Sequence, residues 1–303
     1  MAAWRPEALP WALVIGAWPV RDERRAGQGG GRLGLLAWAV LPFVAVTLIR
    51  LAWFGRPAPL ALYAKPSDWA HGWRYAVACA LLTGPLALLA WRRLASWCRS
   101  LQVATVVHFV AVAVAGGDWM PLSRLVVPVL PGVVIASAHV LDRSRWWLGA
   151  PRLGLALAGL VFALARAGPA AARVGQDRAQ IIAQLAPSLR PATSVAALDV
   201  GWVGAATDAT VVDLAGVTDP GIAALPGGHT SKRIPPGLLA ARSVDTLVLL
   251  RRRGARLADP WPTTRFARAV EQQVAWLPSM AEQYRVVARS DHPRLPYVVL
   301  RKR

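Results

Sequence analysis

Between Leu33 and Ala167 one apolar run follows another, and arginines are confined largely to the short segments between them. A helix needs about 20 apolar residues to cross a bilayer core of about 30 Å. In hydrocarbon each backbone N–H and C=O must find its partner within the protein, and a continuous apolar run meets that demand as a helix. Six runs read as spans: Leu9–Val20, Leu33–Phe54, Trp73–Trp91, Leu101–Ala115, Leu125–Leu141 and Leu153–Ala167. The most informative junction is the turn Gly116-Gly117-Asp118-Trp119-Met120-Pro121-Leu122-Ser123-Arg124. It joins two of the runs and holds Asp118 and Arg124 close to a membrane surface.

The 303 residues are 55% hydrophobic and 17% charged, which is too apolar for an ordinary soluble globule and leaves room for two domains. The net charge of +19 raises the question of nucleic acid. The arginines instead flank apolar runs, where they orient membrane helices, and nucleic acid is not expected as a partner. One set of alternating loops carries Arg21, Arg24, Arg25, Arg32, Arg92, Arg93, Arg99, Arg143, Arg145 and Arg152; the other carries Arg56, Lys65, Arg74 and Arg124. The richer set is expected in the cytoplasm. The Gly116 turn and everything after Ala167 are then expected on the outer face. Cys79 and Cys98 fall towards opposite ends of a span, so a disulfide is not expected.

Beyond Gly168 the pattern changes. Ala171–Leu189 has helical spacing, and β-like runs follow at Ser194–Leu198, Thr210–Leu214, Asp245–Leu250, Tyr284–Ala288 and Tyr297–Leu300. Helical patterns at Pro236–Arg242 and Thr263–Leu277 alternate with them, and Leu225–Pro236 reads as a loop. The expected fold is an α-helical membrane bundle of six spans (residues 1–167) followed by a small extracytoplasmic α/β domain (residues 168–303).

Charges at the outer boundary are the candidates for chemistry. Arg5, Glu7, Arg50, Arg56, Lys65, Asp118 and Arg124 fall there, Arg56 just outside its apolar run. Charges in or beside spans are costly and commonly face a wet cavity, and several cations with two carboxylates suit an anionic lipid headgroup. The plainer alternatives are that such side chains snorkel to the interface and that Gly116-Gly117 ends a helix. In the tail Asp199, Asp208, Asp213 and Asp219 read as turn and cap residues. The five histidines have no metal-ligand spacing, and neither a phosphate-binding glycine loop nor a nucleophile elbow is present. No cofactor is called for, and whether a divalent metal takes part is open.

Four stretches, in order, resemble polytopic glycosyltransferases of the GT-C superfamily, in particular the subgroup with the mycobacterial terminal β-arabinofuranosyltransferase. They are Trp4-Arg5-Pro6-Glu7-Ala8; Arg50 with Trp53-Phe54-Gly55, Pro59 and Leu62-Tyr63-Ala64-Lys65; Gly116-Gly117-Asp118-Trp119-Met120 with Arg124, Pro128 and Pro131; and a tail with Asp199, Gly201, Gly204, Val212-Asp213-Leu214, Gly216, Thr218-Asp219-Pro220 and Ile222-Ala223. The resemblance implies sugar transfer from a polyprenyl-phosphate donor to a cell-envelope glycan or lipid acceptor on the outer membrane face. Arg5, Arg50, Lys65 and Arg124 would contact the donor phosphate, with Glu7, Tyr63, Gly117 and Asp118 completing the substrate site. In the family the catalytic carboxylate lies upstream of the Arg-Pro-Glu segment, and Ala58-Pro59-Leu60 replaces the family's Pro-Asn-Thr. The chain is therefore expected to correspond to the C-terminal portion of such an enzyme and to lack transfer activity on its own, with no catalytic residue to name. The alternative reading is a membrane-anchored, non-catalytic protein that binds or scaffolds envelope material.

Overall fold

The computed structural model describes residues 8–18, 30–65, 68–83, 94–118, 124–143, 145–257 and 261–303. They fall into two compact units. Residues 1–58 and 67–169 form the first; Pro59–Pro66 joins Ala170–Arg303 in the second.

The first unit is helical: α1 (Leu9–Ala17), α2 (Gly30–Phe54), then, after the Pro59–Pro66 excursion with its short α3 (Leu60–Ala64), α4 (Trp69–Thr83), α5 (Ser96–Val114), α6 (Leu130–Asp142) and the start of α7 (Trp146–Leu189). Among the described residues four stretches are long and apolar enough to cross a membrane: Leu36–Phe54, Ser96–Val114, Arg124–Asp142 and Gly149–Leu189. The remaining two expected spans correspond to α1, described over nine residues, and α4, described over fifteen; residues 84–93, which would complete the latter, lie outside the described set. Trp38, Leu41 and Leu48 on α2, and Leu155, Val161 and Leu164 on α7, are exposed. Apolar surface on this scale is stable in hydrocarbon and fits a membrane protein.

Helices α4, α5 and α6 share a small core of Ala76, Cys79, Phe109, Ala113, Val129 and Val133. The segment leading into α6 starts as a 3₁₀ helix, Arg124–Val129, with Pro128 inside it. In 3₁₀ geometry the Leu125 carbonyl would bond the N–H of residue 128, which proline lacks. The buried His108 ring, whose Nε2 lies 2.8 Å from that oxygen, supplies the missing donor. Pro131, in the first turn of α6, falls where a missing N–H costs nothing.

The second unit is a five-stranded sheet in the order β2-β1-β3-β5-β4. Its strands are β1 (Ser194–Ala197), β2 (Thr210–Asp213), β3 (Thr246–Leu250), β4 (Tyr284–Arg289) and β5 (Tyr297–Lys302). The first three are parallel; β5 runs antiparallel to both β3 and β4. Side chains alternate between faces along each strand. Ala196, Leu247, Leu249, Val298 and Leu300 enter one core with α11 (Ala269–Ala275). Val195, Ala197, Val248, Leu250 and Val299 enter the other with Ile181, Leu185 and Leu189 of α7 and Trp202 and Val203 of α8 (Val200–Ala206). The central strands β1 and β3 are buried along their whole length, as a sheet covered on both faces requires. Strand β4, at the edge, carries a register shift between Val286 and Ala288 and stays partly exposed, which discourages pairing with other chains. All five expected β runs are strands of this sheet.

Candidate functional site

In the first unit the Gly116 turn is built by a helix end. Gly117 N–H bonds Val112 O at 2.9 Å and Gly116 N–H bonds Ala113 O at 3.0 Å, with Gly116 at φ +85. This pairing closes α5 as a Schellman cap. Gly117, at φ +70, also abuts α4: a Cβ there would lie 2.8 Å from the Tyr75 Cβ. On α4 itself, a Cβ at Gly72 would lie 2.1 Å from Ala113 O, so α4 and α5 touch backbone to backbone at this level.

That contact delivers Asp118. Its side chain is buried and bonds the Arg124 guanidinium twice, through Nε and, at 3.2 Å, through Nη2. The His71 Nε2 lies 3.1 Å from the Asp118 carbonyl, and the Tyr75 hydroxyl accepts the Leu125 N–H at 3.4 Å. His71 is held in turn by its N–H, which donates to the Asp68 carboxylate at 3.0 Å as α4 begins. A two-pronged arginine–carboxylate pair fixes orientation as well as charge. Arg124 itself remains partly exposed, with a side chain 42% accessible.

Of the other expected residues, Arg5 and Glu7 lie outside the described residues, as do Trp119 and Met120. Arg50 sits near the end of α2, half-buried. Tyr63 and Lys65 lie in the second unit, in α3 and at its C-cap, where α3 packs against α9 (Pro220–Ala223). Gly117, Asp118 and Arg124 are thus brought together in one unit, and Tyr63 and Lys65 belong to the other.

The second unit holds a site that sequence reasoning missed. Asp199 follows β1, where its position alone predicts a turn or cap residue. It pairs instead with Arg268 at 2.8 Å and Arg178 at 3.7 Å and accepts the Tyr297 hydroxyl. Arg268 precedes α11 and also binds Glu271 at 3.1 Å; Glu271 accepts the Leu250 N–H at 3.0 Å. Burial pushes the Glu271 carboxyl up to about 7, although Arg268 and the Leu250 N–H pull it down. Burial opposes the charge on Arg268, but Glu271 and Asp199 outweigh it and hold the guanidinium protonated. Burial and the Asp199 charge lift the Tyr297 phenol to about 12. The one legible signal was Arg178, which shares a helical stripe with Ile181, Ile182 and Leu185, residues that pack on the sheet.

This network borders a cavity of about 490 Å³ lined by Arg178, Ile182, Leu198, Asp199, Trp202 and Val217 among others. It lies beyond the carboxyl ends of β1 and β2, close to where the strand order reverses, the place where open α/β sheets bind ligands. Asp213 and Asp219 do behave as turn residues. Asp213 accepts the N–H groups of Ala215 and Thr218 and the Thr218 hydroxyl. Asp219 caps α9 through the N–H groups of Gly221 and Ile222, with Pro220 in the first turn. Gly216, at φ +72, has the Ala223 N only 2.5 Å from where a Cβ would stand. Among the described residues no three His, Cys, Asp or Glu side chains converge to hold a metal ion.

Residues 170–299, which lie within the second unit, match a protein family described as a domain of unknown function (DUF8728). No curated protein and no solved structure matches the chain.

Proposed function

We propose that this chain is, or is part of, an integral membrane glycosyltransferase. It moves a sugar from a polyprenyl-phosphate donor to a cell-envelope glycan or lipid acceptor on the outer face of the cytoplasmic membrane. In this reading the six apolar runs are spans and the α/β unit is extracytoplasmic. The acceptor hydroxyl attacks the anomeric carbon, the bond from that carbon to the phosphate oxygen breaks, and a general base takes the hydroxyl proton. Cations stabilise the departing lipid phosphate.

The observation that carries the reading is the Asp118–Arg124 pair. A buried carboxylate locks a guanidinium in one orientation at the end of apolar helices, on an arginine whose side chain is 42% accessible. That is the geometry an anionic headgroup needs, and it falls in one of the four stretches that carry the family resemblance. Arg5, Glu7 and Arg50 are the further donor-site candidates in the first unit, and Lys65 the one in the second.

The test is transfer of radiolabelled sugar from a polyprenyl-phosphate donor in membranes expressing the full gene product that contains this chain. Replacing Arg124 by Lys keeps the charge and loses the two-pronged bond. The expected result is loss of transfer with the protein still present in the membrane. Unchanged transfer in Arg124→Lys and in Arg50→Ala would remove the phosphate-site assignment.

A further inference from the structure

The cavity beside Asp199 is lined by residues of the second unit alone, and none of the residues assigned to the sugar donor lines it. Its volume of about 490 Å³ is that of a small-molecule site. Much of the wall is apolar: Ile182 on α7, Leu198 after β1 and Val217 after β2. Arg178 and Asp199 also line it, with side chains 31% and 19% accessible. Both are held in place by partners. Arg178 Nη1 donates to the Tyr297 hydroxyl at 3.0 Å, and Asp199 Oδ2 takes Arg268 at 2.8 Å and the Tyr297 O–H. Asp199 Oδ1 is left with Arg178 at 3.7 Å, beyond hydrogen-bonding distance, and so keeps its capacity to accept.

Trp202 belongs to the same wall. Its ring packs on Tyr297 with centroids 4.8 Å apart, and the residue is 5% exposed. Among the described residues its indole N–H has no acceptor. A buried donor left without a partner is costly, and an oxygen brought in by a ligand relieves that cost. Asp213, by contrast, is spent: its two oxygens hold the loop after β2 through the N–H groups of Ala215 and Thr218.

These groups select a chemical class. An anion in the cavity would meet Asp199 and Asp213; a cation would meet Arg178, with Arg268 behind Asp199. A wholly apolar ligand would cover Arg178 and Asp199 without bonding them, at a desolvation cost. A neutral ring with hydroxyl groups on an apolar frame satisfies every part. We infer that this cavity is a binding site for a neutral saccharide. Sugar hydroxyls donate to Asp199 Oδ1 and accept from Arg178 and from the Trp202 N–H, and a C–H face lies against Ile182, Leu198 and Val217. The site goes beyond the transfer reading: it lies apart from the donor residues and needs no turnover.

Gly201 gives a way to close the cavity without harming the fold. It lines the space, and a Cβ added there meets nothing within 4 Å. Leucine at this position of α8 enters open space and has the better helix propensity. The experiment uses the full chain in nanodiscs of neutral phospholipid, which carry no sugar of their own. Saturation-transfer NMR is recorded with maltose, cellobiose and xylobiose, and with glucose beside its charged counterparts glucose 6-phosphate and glucosamine. The expected result is saturation transfer to at least one of the disaccharides and weaker binding of both charged sugars than of glucose. Gly201→Leu and Arg178→Gln should each weaken disaccharide binding about tenfold or more, the scale of one lost hydrogen bond to a charged group. Gly201→Leu should do so with an unfolding midpoint no lower than the parent's. Transfer to none of the disaccharides, undiminished transfer in Gly201→Leu, or preference for either charged sugar over glucose would overturn the proposal. Loss of this site leaves the sugar-transfer reading standing, and failure of sugar transfer leaves this binding readout untouched.

Discussion

Asp199 and Arg268 meet at 2.8 Å beyond the carboxyl ends of β1 and β3, the two strands between which the order of the parallel sheet reverses. Tyr297 on β5 and Arg178 on α7 close around the same carboxylate. Four elements distant in sequence are therefore tied at one point, on the edge of the cavity.

Replacing that carboxylate by an amide leaves Arg268 with Glu271 as its carboxylate partner and gives Tyr297 an uncharged acceptor in place of a charged one. Asp199→Asn is expected to destabilise the second unit by about 3 kcal/mol, the usual scale for breaking a largely buried ion pair. Tyr297→Phe, which removes one hydroxyl, should cost about 1 kcal/mol. Thermal unfolding of the detergent-solubilised chain, followed by near-ultraviolet circular dichroism, ranks the two. Equal stability of Asp199→Asn and the parent would contradict the structural role given to this cluster.

Glu271 makes stability depend on pH. Its folded pKa of about 7 lies above the ordinary 4.5. Between those values the folded state holds a proton that the unfolded state has lost, so stability falls as pH rises through this window. Above pH 7 both states are ionised and this contribution is gone. Glu271→Gln keeps an oxygen for the Leu250 N–H, and it should flatten the slope between pH 4.5 and 7. Unfolding midpoints measured at half-unit intervals across that range check it; a slope unchanged in the variant would count against the assignment.

The contact of α4 with α5 depends on glycine. An alanine at Gly72 would put its Cβ 2.1 Å from Ala113 O, an overlap with backbone that no rotamer change relieves. Gly72→Ala is expected to cost about 2 kcal/mol or more and to reduce the yield of folded protein in membranes. Gly34→Ala, where nothing stands within 4 Å of the added Cβ, is the matched control and should be neutral. Comparable yields for both would show that the helices slide apart freely.

Asp118 and Arg124 are expected to act as a pair. Because the Asp118 side chain is only 4% accessible, Arg124→Ala removes the two-pronged cationic partner of a buried carboxylate and should destabilise by about 3 kcal/mol. The double variant Asp118→Asn with Arg124→Gln removes both charges and should recover much of that stability without recovering sugar transfer. A double-mutant cycle measures the coupling. Recovery of transfer in the double variant would make the pair purely structural.

Much of the second unit was legible because strand alternation and turn chemistry are local signals. All five β runs and the Leu225–Pro236 loop were readable this way, and so were the cap at Asp219 and the turn at Asp213. These turn residues also account for the tail stretch of the family resemblance, where Gly216 and Pro220 have local geometric reasons to be what they are. The Asp199 cluster was not legible, since its partners Arg178, Arg268 and Tyr297 are set by sheet topology rather than by spacing. The docking of Lys65 was hidden for a different reason. A five-residue helix bounded by prolines has no amphipathic pattern long enough to announce its partner. At Gly116-Gly117 the sequence offered a helix end or a functional turn, and the geometry contains both: the cap closes α5 and thereby places Asp118 against Arg124.

The most direct test of the central claim is sugar transfer itself. Membranes expressing the full gene product that contains this chain would be given radiolabelled polyprenyl-phosphate pentose and hexose donors and an envelope glycan acceptor. The account predicts labelled product that depends on Arg124. Absence of product from every donor, with the protein present and folded in the membrane, would contradict it and turn attention to the non-catalytic binding role.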